Sequence, residues 1–287
     1  MVTKILLATD GSEHAQDAAR LLAGLPWAAG TQIDVVLVVD PNVEALLDGD
    51  PAEHRKQVLA IAEGTAATLR RDGVEATAHV LAGDADHQLI LAADDWKSDL
   101  LVIGSRGLSG LADFVMGSVA RNVAKHAHCS VLVARAPEHG FRRMLLALDS
   151  STHAAQAAEL AGRLPLPPQT AIDLIHVVRP PRPVLDGGFF TDGYLVEALV
   201  EAQRQQKEWG EQMLASVSEK LAGDGRATVI ELRTGDPATE ILSAATEKGV
   251  DLIVAGARGE SLIEHLLTGS VADRLLKKAT CSVLLVR

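Results

Sequence analysis

A glycine-serine frame occurs twice in this chain at the same internal spacing. The first copy runs from Gly104-Ser-Arg-Gly107 over nine residues to Gly117-Ser118, and the second runs from Gly256-Ala-Arg-Gly259 over nine residues to Gly269-Ser270. Each copy follows a short apolar run and opens a stretch that begins Gly-Ser-Val-Ala. Such a strand, loop and helix start form an anion site, because glycine lets backbone N–H groups approach a phosphate and the helix N-terminus carries partial positive charge. The frame therefore predicts two phosphate-binding loops.

The duplication extends over the whole chain. Residues 4–10 match residues 143–149 at an offset of 139, and Cys129 matches Cys281 at an offset of 152, so the second half carries 13 additional residues. Segment 179–193 is dense in Pro and Gly, which predicts a loop. We therefore assign the 13 additional residues to this segment. A repeat of about 140 residues has the size of a domain. We therefore predict two homologous domains, 1–138 and 141–287.

Apolar runs alternate with helical stretches in each half. Strands that alternate with helices favour a parallel sheet covered on both faces, and near-continuous apolar strands are typical of that burial. The predicted fold class is α/β, with two tandem doubly wound, Rossmann-like domains of five parallel strands in the order 3-2-1-4-5. In the first half the predicted strands are 4–9, 33–39, 74–81, 100–104 and 131–135, and the predicted helices are 12–25, 52–71, 85–96 and a helix from 118 onward.

Composition excludes several functional classes. The net charge of −11 argues against a nucleic-acid partner, whose phosphates require a basic surface. We expect no membrane span, because no apolar run approaches the ~18 residues that a span needs. The apolar stretch near the N-terminus is too short for a signal peptide, and we therefore expect a cytoplasmic location. Cys129 and Cys281 hold equivalent positions and are predicted to be small buried hydrophobes.

An aspartate ends the first strand of each half. In the predicted strand order, strands 1 and 4 are neighbours, which places Asp10 beside the loop that opens at Gly104 and Asp149 beside the loop that opens at Gly256. A carboxylate next to a phosphate loop suits a nucleoside, because the acid can meet hydroxyls or an amino group while the glycines meet phosphate. The alternative is that each aspartate caps the following helix. Beside a glycine loop, we favour the ligand role.

These features together resemble the universal stress protein family. The resemblance rests on the frame G-x2-G-x9-G-[S/T], the aspartate that ends strand 1, the sequence Leu-Ile-His-Val-Val at 174–178 and Gly-Asp-Pro at 235–237. It covers almost the whole chain twice, so the chain looks like a tandem-type member. The family has a five-stranded α/β nucleotide-binding domain, and members with an intact glycine frame bind ATP. The resemblance therefore implies ATP with Mg2+ in at least one half, in a regulatory protein of the stress response.

Site residues follow from the resemblance position by position. It implies that the aspartate and a valine of strand 2 hold the adenosine, the valine mainly through its backbone, and that the frame holds ribose and phosphates. In the first half the matching residues are Asp10, Val38, Gly104, Gly107, Gly117 and Ser118. In the second half they are Asp149, Val177, Gly256, Gly259, Gly269 and Ser270.

Each loop also carries one arginine, Arg106 or Arg258. Either residue is a phosphate ligand or a solvated loop arginine, and the sequence leaves both roles open.

We expect no structural zinc, because the histidines are scattered and no cysteine partner stands at metal spacing. His176 in strand 2 is expected to be a core histidine with a satisfied hydrogen bond.

The chain is not expected to be an enzyme. No G-x-x-x-x-G-K-[ST] sequence occurs, so no P-loop lysine is present to steady a transferring phosphate. The alternative is a slow ATP hydrolase or an adenylyl-transfer enzyme of the same fold.

The last strand of each half predicts how the halves meet. Segments 130–135 and 282–287 are apolar, with no Pro and no charge before the final Arg, and the predicted strand order makes both of them sheet edges. A bare edge of this composition must be covered. We therefore predict that the two last strands pair within the chain as a pseudo-twofold dimer, with a homodimer of chains as a further expectation.

The insertion carries a pair of aromatic residues. Phe189 and Phe190 lie within segment 179–193, and exposed aromatics in a loop usually contact a partner surface. We predict that this segment lies near the second site or at a contact between subunits. A disordered tether is the alternative.

Overall fold

The computed structural model describes residues 2–44, 50–70, 74–107, 116–135, 140–180, 193–223, 225–259 and 268–287. The first half contains β1 (Lys4–Ala8), α1 (Glu13–Ala23), β2 (Gln32–Val39), α2 (Pro41–Glu44), α3 (Pro51–Arg70), β3 (Glu75–Ala82), α4 (Ala85–Asp95), β4 (Leu100–Gly104), α5 (Ser118–His126) and β5 (Ser130–Ala134). The second half contains β6 (Arg143–Ala147), α6 (Thr152–Arg163), β7 (Ala171–Val178), α7 (Gly193–Gly223), β8 (Thr228–Thr234), α8 (Pro237–Lys248), β9 (Leu252–Gly256), α9 (Ser270–Lys278) and β10 (Ser282–Val286).

The strands form one sheet in the order β3-β2-β1-β4-β5-β10-β9-β6-β7-β8. Pairing is parallel within each half, so each half has the predicted order 3-2-1-4-5. β5 and β10 pair antiparallel, with Val131 opposite Leu285 and Val133 opposite Val283. The predicted fold class and the predicted pairing of the two last strands are therefore confirmed. Both of these strands are buried in the middle of the sheet, where no edge is left to cover.

Predicted element boundaries in the first half agree with the structure to within two residues. The prediction missed the short helix α2, which begins at Pro41 directly after the end of β2. The predicted loop 179–193 was wrong at its last residue, because Gly193 begins α7. Residues 181–192, including Phe189 and Phe190, lie outside the described residues, so the placement of the insertion stays a prediction.

The apolar core forms two layers, one on each face of the sheet. One layer includes Leu22 of α1 and Leu214 of α7, and the other includes Val123 of α5 and Leu275 of α9. Each layer therefore runs through both halves of the chain. Because burial of apolar surface is the main favourable term in folding, the two halves stabilise each other across their junction.

Partly buried arginines join the two halves at the ends of β5 and β10. The guanidinium of Arg287 donates hydrogen bonds to the carbonyls of Ala124 at 2.7 Å, Lys125 at 3.1 Å and Cys129 at 3.3 Å. Arg135 donates in the same way to Leu276 at 2.7 Å and to Cys281 at 3.3 Å.

Each arginine thus reaches the last turn of the other half's final helix. Carbonyls there lack intrahelical donors, and a cation at a helix C-terminus is favourable. Burial lowers the pKa of the Arg287 guanidinium to about 10 and lowers the pKa of Arg135 as well. Both groups remain cations at neutral pH, so each arginine caps a helix in the neighbouring half.

The two cysteines, Cys129 and Cys281, are free thiols. Burial raises the pKa of each thiol to about 11, which leaves about one thiol in a thousand ionised at pH 8. We expect the native chain to react very slowly with a disulfide reagent at pH 8, and both thiols to react once the chain is unfolded in guanidinium. Rapid reaction of the native chain, followed by absorbance, would contradict this expectation.

Candidate functional site

The structure brings the aspartate and the glycine loop of each half into contact. A Cβ added to Gly107 would collide with Oδ2 of Asp10, and one added to Gly259 would lie 2.6 Å from Oδ2 of Asp149. The two carboxylates lie at the carboxyl ends of β1 and β6, next to the ends of β4 and β9. Only glycine leaves room at the second frame position, because the carboxylate already lies there.

Serines, not aspartates, cap the helices that follow. The hydroxyl of Ser12 accepts a hydrogen bond from the amide of Ala15 at 3.3 Å, and Ser151 accepts one from Ala154 at 3.1 Å. Each aspartate instead accepts through Oδ1 from the amide of this serine at 3.0 Å, which fixes the turn. The capping alternative for Asp10 and Asp149 was therefore wrong, and Oδ2 of each is the oxygen that lies against the glycine loop.

The first glycine of each frame is required by packing against the helix that follows the first strand of the same half. A Cβ on Gly104 would lie 2.8 Å from the backbone oxygen of His14, and one on Gly256 would lie 2.8 Å from Cβ of His153. Strands β4 and β9 therefore end against the first turns of α1 and α6. This contact sets where each loop leaves the sheet.

The far end of each loop returns to its start. The amide of Gly117 donates to the carbonyl of Ser105 at 2.9 Å, and the amide of Gly269 donates to the carbonyl of Ala257 at 2.8 Å. Residues 108–115 and 260–267, between these ends, lie outside the described residues. The closed base places Ser118 and Ser270, the first residues of α5 and α9, beside the start of the loop.

Helices α5 and α9 begin without a side-chain cap. Six other helices of the described chain have one, from Ser12, Asp40, Asp50, Asp84, Ser151 and Asp236. At α5 and α9 the capping position is Gly117 or Gly269, and no described side chain caps the first turn. The N–H groups of these two turns therefore remain available to another acceptor.

Packing does not explain why these capping residues are glycine. Among the described residues, a Cβ on Gly117 would have its nearest neighbour at 3.6 Å, and one on Gly269 at 3.4 Å, which is ordinary van der Waals contact. Their φ values of −59° and −71° suit any residue. Glycine is itself a common N-cap residue, and at this position it also leaves the backbone open to the close approach of a group from outside the protein.

A cleft of about 210 Å³ lies at the second site. All seven residues predicted for this half line it, namely Asp149, Val177, Gly256, Arg258, Gly259, Gly269 and Ser270. Val177 is buried near the end of β7, and its counterpart Val38 is partly buried near the end of β2. His176 also lines the cleft, and its Nδ1 lies 2.8 Å from the carbonyl of Leu148, so this histidine has the predicted satisfied hydrogen bond.

Sequence reasoning missed part of the cleft lining. Arg179 follows β7, Gln206 and Trp209 belong to α7, and Ile241 belongs to α8. No spacing within the frame points to them, since they lie on elements that meet the cleft only in the folded sheet. Pro237 was noted only as part of the Gly-Asp-Pro sequence.

Positive charge gathers at the second cleft of this acidic chain. Of the described charged residues that line the cleft, Arg179 and Arg258 are cations and Asp149 is the one carboxylate. The start of α9 at Ser270 adds partial positive charge. Such a balance favours an anion over a cation.

The described residues contain no group of three or more His, Cys, Asp or Glu side chains that could hold a metal ion. In the part of the chain that the structure describes, no helix is both long and apolar enough to cross a membrane.

The fold and the two sites define a class: a tandem α/β protein with a glycine loop at the carboxyl end of each parallel half-sheet. The model of the universal stress protein family matches residues 1–135 and again residues 140–287. The chain belongs to the universal stress protein family.

Individual relatives agree with this assignment. The universal stress protein YxiE of Bacillus subtilis is 36% identical over 149 residues, which cover 51% of this chain and 99% of that protein. A universal stress protein of Thermus aquaticus is 33% identical over 144 residues, 47% of this chain and 100% of that protein. Among solved structures, a universal stress protein from Archaeoglobus fulgidus superposes with a TM-score of 0.65 at 20% identity, over 99% of this chain and 96% of that one, and shares the fold.

Proposed function

We propose that this chain is an ATP-binding regulatory protein of the stress response, located in the cytoplasm, with one nucleotide site in each half. The observation that carries the proposal is the pair of uncapped helices, α5 and α9, which begin at glycines that packing does not require. Backbone N–H groups at a helix start are suited to phosphate, and a missing Cβ gives the phosphate access to them.

The nucleotide would span each site from loop to strand. Gly117 and Ser118 in the first half, and Gly269 and Ser270 in the second, would hold phosphates, and Arg106 or Arg258 would balance their charge. Asp10 and Asp149 would accept hydrogen bonds from ribose hydroxyls or the adenine amino group. The backbones of Val38 and Val177 would meet the adenine edge.

Mg2+ would bind together with the nucleotide and neutralise part of the phosphate charge. The residues present fit this arrangement: one carboxylate lies against each loop, and the phosphates would supply the remaining ligands. The protein's own part is to hold the phosphates at the helix start and to orient the nucleoside.

A binding role is favoured over catalysis. Neither glycine frame contains a lysine that would steady a transferring phosphate, and transition-state charge would find only the loop arginine and backbone amides. The alternative, slow ATP hydrolysis or adenylyl transfer, is tested by following product formation with the purified chain.

Association of two chains into a homodimer is a further proposal, and it is tested by measuring the mass of the chain in solution.

Replacing Gly117 or Gly269 by alanine separates ligand binding from folding. Both backbones suit alanine, and the gain of about 0.4–1 kcal/mol from restricting the unfolded chain is offset by the weaker preference of alanine for the N-cap position. We expect stability to change by less than about 1 kcal/mol, with ATP affinity at the altered site weakened about tenfold or more, since the new methyl group keeps the phosphate from the amides. Calorimetric titration with ATP and Mg2+ measures affinity and stoichiometry.

Gly64→Ala is the matched control. Gly64 lies in α3, and a Cβ added there would meet nothing within 4 Å. Gly64→Ala should raise helix stability but leave ATP binding unchanged. If Gly117→Ala, Gly269→Ala and Gly64→Ala all bind ATP like the parent chain, the proposed sites are wrong.

A further inference from the structure

Trp209 is an aromatic side chain at the second cleft that belongs to neither glycine frame. It lies in α7, is 42% exposed, and lines the cleft together with Asp149 and Val177. It also lines a neighbouring groove of about 660 Å³ between α6 and α7. The indole therefore separates the cleft from the groove, and a large part of its surface has no covering within the described chain.

The adjacent glycine brings Trp209 to this position. A Cβ on Gly210 would lie 2.6 Å from Cδ2 of His176, so α7 approaches β7 more closely than any other residue would allow. Glycine is unfavourable inside a helix, and this close approach accounts for its presence. The imidazole of His176 then contacts the indole edge-to-face, with ring centroids 5.5 Å apart and planes at 72°.

His176 is itself fixed on its other side. Its Nδ1 lies 2.8 Å from the carbonyl of Leu148, the residue that precedes Asp149. Contacts therefore run without a break along the cleft wall, from Leu148 to His176 and from His176 to the indole. Leu148 and His176, which position Trp209, also line the second cleft.

The first half is built differently at the matching positions. At the offset of 152, Gln57 corresponds to Trp209 and Val58 to Gly210, and at the offset of 139, Leu37 corresponds to His176. Leu37 and Val58 pack directly in a small apolar cluster. Close approach of the helix and an aromatic wall are therefore properties of the second half.

We propose that Trp209 is a binding residue of the second site, where its indole stacks against the base of the bound nucleotide. This inference rests on the proposed function. Aromatic stacking with a base is favourable and tolerant of base identity. Adenine nucleotides therefore bind more tightly to the second half than a base-free polyphosphate does, by a margin that Trp209 supplies.

The test compares ATP with inorganic tripolyphosphate by calorimetry in the Gly117→Ala chain, where the second site remains intact. Trp209→Gln installs the first-half residue, and we expect ATP affinity to fall about tenfold while tripolyphosphate affinity stays unchanged. Trp209→Phe keeps an aromatic face and should retain ATP affinity to within about threefold. The exposure of Trp209 makes both variants compatible with folding.

Fluorescence gives a second readout in the otherwise unaltered chain. ATP should change the tryptophan emission of the parent chain but not that of Trp209→Phe, in which Trp27 and Trp96 remain as internal references. Equal ATP affinity in the parent and Trp209→Gln chains would overturn the inference, and so would an equal loss for ATP and tripolyphosphate. If the parent chain binds no ATP at all, the proposed function fails instead, irrespective of Trp209.

Discussion

Replacing Arg287 by methionine is expected to lower the free energy of unfolding by about 3 kcal/mol and the midpoint of thermal unfolding by about 6–10 °C. Methionine keeps much of the apolar stem but removes the donors to Ala124, Lys125 and Cys129. The carbonyls of Ala124 and Lys125 close the last turn of α5, and all three carbonyls would lose a charged partner in a partly buried place. Arg135→Met should have a similar effect through α9. Urea and thermal unfolding measure both.

Arg163→Met provides the matched control. Arg163 pairs with Glu159 one turn away on α6, and its side chain is 57% exposed. Exposed pairs of this kind contribute about 0.3–0.5 kcal/mol. A loss below about 1 kcal/mol for Arg287→Met, close to that of the control, would show that the cross-half hydrogen bonds do not stabilise the junction.

Gly104→Ala should destabilise the chain by about 3 kcal/mol, in contrast to Gly117→Ala in the same frame. The new Cβ would lie 2.8 Å from the backbone oxygen of His14 and 2.9 Å from its carbonyl carbon, so β4 and the first turn of α1 would have to separate. Gly256→Ala should behave alike, since its Cβ would meet the backbone of His153 at 2.9 Å. The midpoint of urea unfolding measures each change.

The comparison within one frame is the informative part of this experiment. Gly104 is required by the fold, whereas no described contact requires Gly117, so Gly104→Ala should lower stability much more than Gly117→Ala. Equal stability of the Gly104→Ala and Gly117→Ala chains would mean that β4 can shift away from α1 at little cost.

Much of the architecture was predictable because the pattern is local and repeated. Strands such as Leu100–Gly104 are apolar throughout, and alternation with helices leaves few arrangements for them. The apolar last strands, with no charge before the final Arg, required a covering partner, and β5 and β10 provide it for each other. The closeness of Asp10 to its loop followed from the strand order alone.

Other features depend on distances that no local pattern encodes. Ser12 caps α1 and Asp10 does not, because the chain turns between them. Both residue types are good caps, so the sequence alone does not decide which of them caps the helix. Trp209 reaches the cleft only because Gly210 allows α7 to approach His176. The capping of α5 by Arg287 depends on the relative placement of the two halves.

Pairing β5 with β10 inside one chain has a consequence for assembly and for divergence. The junction forms at any protein concentration, whereas a dimer of separate chains dissociates on dilution. A true twofold axis would repeat every contact on both sides of the junction. Here the hydroxyl of Thr268 donates to the carbonyl of Lys125 at 3.2 Å. Met116, the counterpart of Thr268, has no hydroxyl and cannot make the same contact. Covalent linkage thus lets each half change its sequence independently, so that one site can gain a tryptophan while the other keeps a glutamine.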